Sequence, residues 1–245
     1  MIEVNNLSKR YGDFTAVDDL SFKVGAGEIL GLVGPNGAGK TTTLRCLSGI
    51  IPATVGVSSL CGIDVAADPV AAKRQLAFIP DEPRLFDYLT VAQHLKFIAR
   101  LYGVIDCEAR AKPILAELEM ADKTQLLPAE LSRGMKQKLS IACGLLHQPK
   151  IVILDEPMTG LDPGGMRRMK AVMRRLAREG AAIILSSHLL GLVEEVCTHL
   201  LILKEGRKMA DGTVDAVRAR YTNDADESLE DVFFRATGDT ENLHA

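Results

Sequence analysis

The sequence predicts an α/β fold in three parts: antiparallel strands at the N-terminus, a helix-flanked sheet, and an all-helical insertion. Three observations carry that expectation. The apolar run Ile29-Leu30-Gly31-Leu32-Val33 leads through Gly34-Pro35-Asn36-Gly37-Ala38-Gly39-Lys40-Thr41-Thr42 into a helix-forming stretch, in the order strand, glycine loop, helix. Two further apolar runs, residues 150–154 and 181–185, have the length and β-branched content of buried parallel strands. Between the loop and those runs, from Thr90 to about Gln148, apolar residues recur at helical spacing.

The elements follow in order. Within the first 27 residues Leu20, Phe22 and Val24 alternate with Ser21 and Lys23, and Gly12-Asp13 and Gly25-Ala26-Gly27 supply turns. After the loop helix, Gly49 and Pro52 end the helical run. Strands are expected near Val57–Leu60 and Gln75–Ile79, the second running into Pro80-Asp81-Glu82-Pro83, a loop fixed by its two prolines. Thr90 caps a helix with Val91, Leu95, Ile98 and Leu101 on one face and Gly103 at its end. A second helix starts at Asp106, and Pro113 is expected to kink or split it. A third starts at Ser132, with Met135, Leu139, Ala142 and Leu146 on one face, and ends before Pro149. Asp162-Pro163 opens a helix that runs to about Glu179, with Gly180 as its stop. A helix over Leu189–Cys197, a hairpin turning at Glu205-Gly206, and a short helix from Ser228 to Ala236 complete the chain, Ser228 and Asp231 having capping-box spacing.

Composition narrows the function classes. The 245 residues, 47% hydrophobic and 25% charged, suit one large α/β domain with a subdomain. A net charge of -3 gives no support to nucleic acid as the main partner. No apolar run approaches the ~18–20 residues a bilayer crossing needs, and Met1-Ile2-Glu3-Val4 does not open a signal peptide. Cysteines 46, 61, 107, 143 and 197 are scattered without a C-x-x-C pair and read as reduced, mostly buried residues of a cytoplasmic protein. Arg167, Arg168, Lys170, Arg174 and Arg175 fall on one helix and read as a solvated basic face, with a partner or lipid headgroups as the minority reading.

The glycine loop is a phosphate-binding loop. Its backbone N–H groups point inward, the following helix adds its positive end, Lys40 reaches the β- and γ-phosphates, and Thr41 puts a hydroxyl on Mg²⁺. The loop contacts are assigned to Gly34, Asn36, Gly37, Ala38, Gly39, Lys40, Thr41 and Thr42. Asp155, ending an apolar strand, has the form of a Mg²⁺-holding acid, and Glu156 beside it can polarise water as general base. His188 follows the next strand, where strand C-termini converge on ligands. Taken singly, a strand-end acid is as often a cap, a loop histidine is usually solvated, and Tyr11 is as readily a turn residue.

Together these motifs resemble the ATP-binding cassette (ABC) ATPases. Leu131-Ser132-Arg133-Gly134-Met135 is similar to the family signature LSGGQ, upstream of the Asp155 strand and opening a helix. Gly160-Leu161-Asp162 resembles the D-loop, Ser187-His188 the switch histidine, Tyr11 the aromatic that stacks on adenine, and Asp81 stands where the Q-loop glutamine is usual. The likeness extends to residues 228–233, similar to the C-termini of many bacterial exporter ATPases. Two departures stand out: Arg133 and Met135 replace the first glycine and the glutamine of the signature, and Asp81 replaces an amide with a carboxylate. A one-residue slip would put Glu82 there with the same consequence. Both variants are similar to bacterial ABC-2-type export ATPases.

The resemblance implies a RecA-like core over residues 1–84 and 149–215, a helical signature subdomain at 85–148 and a helical tail at 216–245. It implies ATP and Mg²⁺ as cofactors, with Asp155, Thr41 and Asp81 on the metal, Glu156 and His188 catalytic, and Ser132, Gly134 and Asp162 meeting nucleotide across a head-to-tail pair of chains. The partners implied are a second nucleotide-binding subunit and a transmembrane permease, met through residues 83–103, with the chain peripheral on the cytoplasmic face of the membrane. Other readings fit less. Soluble family members acting on DNA carry a long coiled coil between the two phosphate-site motifs, and those acting on ribosomes usually carry two cassettes. A GTPase would show N-K-x-D, and only Asp81 encourages a non-hydrolysing regulator.

Overall fold

The computed structural model describes residues 1–222 and 228–238, so residues 223–227 and 239–245 of the expected C-terminal tail lie outside the described residues. β1 (Ile2–Tyr11) and β2 (Phe14–Val24) form an antiparallel hairpin, with Tyr11 opposite Phe14 at its turn. The chain continues through β3 (Ile29–Val33), the glycine loop and α1 (Lys40–Leu47). β4 (Val55–Leu60) returns to pair with β1, and β5 (Ile63–Asp64) completes a sheet ordered β2-β1-β4-β5. A short α2 (Pro69–Arg74), capped by Asp68, then leads into β6 (Leu76–Ile79). The sequence reading missed α2.

Three helices follow. α3 (Val91–Tyr102) is held by a full capping box between Thr90 and Gln93. Its buried face is Val91, His94, Leu95 and Ala99; Leu101, expected on that face, is 63% exposed. Ten residues at about 100° each leave Leu101 roughly 80° round from Val91. α4 (Cys107–Glu117), capped by Asp106, runs through Pro113 as one helix rather than splitting. The bond that Pro113 cannot donate belongs to Ala109, which lies on the exposed side where water can take its carbonyl. α5 (Arg133–Leu145) buries Leu139 and Ala142, with Leu146 just past its end, while Met135 is half-buried.

The chain then alternates: β7 (Ile151–Asp155), α6 (Pro163–Arg178), β8 (Ala182–Ser186), α7 (Leu190–Val196), β9 (His199–Lys204) and β10 (Arg207–Thr213). α8 (Val214–Tyr221), also missed from the sequence, and α9 (Leu229–Thr237) end the described chain. Ser228 caps α9 by accepting from the Asp231 N–H, and its own hydroxyl donates to the Asp231 carboxylate at 2.6 Å.

The second sheet has the order β10-β9-β3-β8-β7-β6, parallel except at the β10 edge. Period-two alternation splits its residues between two cores. Leu30, Leu32, Ile151, Ile153, Ile184 and Leu201 face α1 and the inner side of the antiparallel sheet. Ile79, Val152, Leu154, Ile183 and Leu185 face the helices α3 to α6. Each such fully buried side chain contributes about 1.5–3 kcal/mol, so the sheet is the rigid floor on which its strand ends are placed.

Of the five basic residues singled out on α6, Arg167 and Arg174 are exposed and the others partly so, and four of the five pair on that surface. Lys170 and Arg174 both pair with Glu195 of α7, Arg175 with Glu117 and Glu179, and Arg168 with Glu119. These pairs tie α6 to α7, α4 and the segment after α4. Of the five cysteines, only Cys46 is fully buried; the other four are partly so. Burial pushes the thiols of Cys143 and Cys197 up to about 12, which keeps both inert.

Candidate functional site

β3, β7 and β8 end at one edge of the sheet, with Asp155 paired to Ser186 in the parallel register. That edge gathers the glycine loop, Asp155-Glu156 and Ser186-Ser187-His188. A concavity of about 320 Å³ there is lined by Asn36 to Thr42, Asp155, Glu156 and Ser186, with Phe14 and Ala16 closing one side. A larger one of about 780 Å³ shares Thr41 and Asp155 and opens past Asp81 toward α3 and α5.

The loop's shape follows from its glycines at a position where nothing else fits. Gly39 caps α1 with φ at +97°, and a Cβ there would stand 2.4 Å from the Ala16 carbonyl oxygen. The turn of the β9–β10 hairpin clamps the loop from the far side: Gly206 N–H donates to Ala38 O, and Asp18 N–H donates to Gly206 O. Lys40 folds back over the loop, donating from Nζ to the carbonyls of Gly34 at 2.6 Å and Pro35 at 3.0 Å. Burial depresses its pKa, partly offset by the negative charges of Glu156 and Asp155.

Asp155 is buried at the end of β7. Desolvation raises its pKa, the approaching hydroxyls of Thr41 and Ser186 work the other way, and the Asp81 charge adds to the rise. Ser186 Oγ stands near that carboxylate yet makes no hydrogen bond of good geometry, and it is fully buried. Asp81 Oδ1 is likewise shielded from solvent and accepts no hydrogen bond. Glu156 adopts φ +49°, a left-handed conformation unusual for a side-chain-bearing residue, fixed by its N–H donating to Ser186 O. Its Oε2 lies 2.9 Å from His188 Nδ1, and an ionised carboxylate only accepts, so Nδ1 carries the proton. His188 is otherwise exposed.

Several expected residues do not line the small concavity, among them Tyr11, Ser132, Asp162 and Gly134. Tyr11 is half-exposed with Lys9 Nζ 5.0 Å from its ring centroid, and its cross-strand neighbour Phe14 takes the wall. Ser132 is exposed and caps α5, its Oγ accepting from Met135 N–H at 3.2 Å. Asp162 caps α6, accepting from Gly165 N–H at 2.9 Å, and its carboxylate is occupied there. Gly134 packs on the Gly160 turn: a Cβ on it would approach the Gly160 carbonyl oxygen to 2.6 Å.

The sequence reading missed several neighbours of the site. Phe14 and Ser186 are unremarkable as letters. Gln137, fully buried on α5, reaches Pro80 O with Nε2 at 3.4 Å and so holds the Asp81 loop. Only its polar character on an otherwise apolar helix face could have flagged it.

A glycine loop cradled by a parallel sheet, with a lysine, a buried acid and a second acid at its mouth, defines a P-loop nucleoside triphosphatase. The comparisons with known proteins narrow the class. A profile of the ABC transporter family matches residues 17–159. The Nod factor export ATP-binding protein I of Paraburkholderia xenovorans is 38% identical over 220 residues, covering 89% of this chain and 72% of that protein. The ABC-type transporter ATP-binding protein EcsA of Bacillus subtilis is 34% identical over 97% of this chain and 96% of its own length. A solved ATP-binding subunit of an ABC transporter superposes with a TM-score of 0.91 at 35% identity, covering 96% of this chain and 99% of that one. A dimeric ATP-binding cassette bound to ADP and phosphate, at TM-score 0.80 and 20% identity, shares the fold. The chain belongs to the ABC transporter family, as an ATP-binding subunit and an ATPase. Among the described residues no helix is long and apolar enough to cross a membrane.

Proposed function

We propose that this subunit hydrolyses ATP at a site shared by two copies and thereby drives a separate membrane permease in export. The observation that supports it most is the split arrangement. Lys40, Thr41, Asp155 and Glu156 line one concavity, while Ser132 and Gly134 lie outside it on an exposed helix start. Ser132 and Gly134 of a second copy would then bring the α5 N-terminus to the γ-phosphate that Lys40 holds from the other side. Asp162, as the α6 cap, holds the Gly160 turn beside them. The N–H groups from Gly34 to Thr42 cradle the phosphates, and Tyr11 offers its exposed ring to the adenine. Glu156 takes a proton from the attacking water, and His188 keeps its carboxylate aimed.

The oxygens of Thr41, Asp155 and Asp81 fit Mg²⁺. Among the described residues no cluster of three or more His, Cys, Asp or Glu could hold a metal unaided, which suits an ion held largely by phosphate oxygens. Asp81 Oδ1, shielded and without a hydrogen bond, and the desolvated Asp155 are groups that a hard cation would satisfy. When bound, Mg²⁺ offsets charge on the β- and γ-phosphates.

The permease reading rests on an exposed apolar surface along residues 83–103: Phe86, Tyr88 (91% exposed), Phe97 and Leu101. Export is favoured because a close relative is named for it. The test is co-purification from detergent-solubilised membranes of the host. A polytopic membrane protein should be retained by the parent and lost with Phe97→Glu plus Leu101→Glu. Retention unchanged by the double substitution would move the contact elsewhere.

A further inference from the structure

Two of the residues that depart from the family pattern, Asp81 and Arg133, are neighbours in the fold. Arg133 opens α5, one residue past the Ser132 cap, and its side chain runs over Gly160. A Cβ at Gly160 would stand 2.9 Å from Arg133 Cγ and 3.0 Å from Cδ. The Gly160 turn is thus pressed between Gly134 and the Arg133 stem, and the absence of a side chain there lets Arg133 lie across it. Its guanidinium ends with Nη2 3.9 Å from Asp81 Oδ1, the shielded oxygen that accepts no hydrogen bond. One side chain therefore links the signature, the D-loop and the Asp81 loop of a single subunit.

A carboxylate in place of an amide puts an extra negative charge beside the triphosphate and next to Asp155. We propose that Arg133 is a positioning residue for the nucleotide site of its own chain, holding Asp81 in place and partly neutralising it. The inference deepens the nucleotide reading above and rests on it. At 3.9 Å and with both groups partly exposed, the pair adds little to folding stability. Its effect is on where Asp81 is held: a carboxylate released from Arg133 can turn toward the metal position and strengthen the attraction for a divalent cation about three- to ten-fold.

The test titrates Mg²⁺ into full-length protein with a fluorescent ATP analogue and reads the concentration that half-saturates binding. Arg133→Met keeps the aliphatic stem on Gly160 and removes the charge. It should lower the half-saturating Mg²⁺ about three- to ten-fold. Arg133→Lys, which keeps the charge, should follow the parent. In an Asp81→Asn background, Arg133→Met should change nothing beyond about two-fold, since the two residues act as one unit. No shift in Arg133→Met, or equal shifts with and without Asp81, would overturn the inference while Lys40→Ala still loses the analogue. If Lys40→Ala binds the analogue as the parent does, the nucleotide reading itself fails and the inference falls with it.

Discussion

Asp155 carries its charge where charge is expensive. Burial raises its pKa, so the folded chain is penalised for keeping it ionised at any pH above that raised value. Asp155→Asn should therefore raise the melting temperature of the nucleotide-free protein at pH 7.5 by a few degrees while abolishing turnover. The penalty is relieved as pH falls through the raised pKa, so the melting difference between parent and variant should narrow in acid. A variant less stable than the parent at pH 7.5 would mean that the hydroxyls of Thr41 and Ser186 outweigh burial. Glu156→Gln should lower the hydrolysis rate about 10²–10⁴-fold and leave ATP affinity nearly unchanged. Parent-like turnover would remove Glu156 as the base. At this scale the sequence was legible wherever a motif has a backbone reason, as in the glycine loop. Phe14 and Ser186 were not, because each reaches the site through strand register, and register is a property of pairing rather than of letters.

Asp162 shows how a motif residue can serve its element first. Its carboxylate caps α6, and loss of such a cap costs about 1 kcal/mol. Asp162→Ala should lower the melting temperature by roughly 2–4 °C, and Asp162→Asn, which still accepts, should stay near the parent. Equal losses in both variants, or a loss seen only with ATP bound, would show that its charge matters more than its cap. The longer helices announced themselves through capping residues and apolar spacing, as with Thr90 and Ser132. α2 escaped although Asp68-Pro69 repeats the Asp162-Pro163 signature, because six residues leave no room for a repeating apolar face. Pro113 misled in the other direction: a proline on an exposed helix side costs one hydrogen bond, and water replaces it. The ion pairs of the basic run on α6 were not legible for a third reason, since its partners Glu117, Glu119 and Glu195 come from other segments.

At the scale of the molecule, the sheet's C-terminal edge gathers the phosphate loop, Asp155 and Glu156, while Ser132 and Gly134 stand outside the concavity there on an exposed helix start. The phosphate loop and the signature are both present once, yet the described residues do not bring them to one concavity. A second copy placed head to tail would join each Lys40 to a Ser132 helix start, and ATP would be the bridge. The most direct measurement uses a Glu156→Gln background, where slow hydrolysis prolongs the bridged state. Lys40→Ala and Ser132→Arg should each abolish the ATP-dependent dimer seen by light scattering. Mixing the two restores one intact site per pair, and partial recovery of dimer is the expected result. The control is the Glu156→Gln parent mixed with its Lys40→Ala variant, the mixed species being picked out by a tag on one partner; that pair also holds one intact site. If that control dimerises with ATP and the mutant mixture does not, the shared site is contradicted.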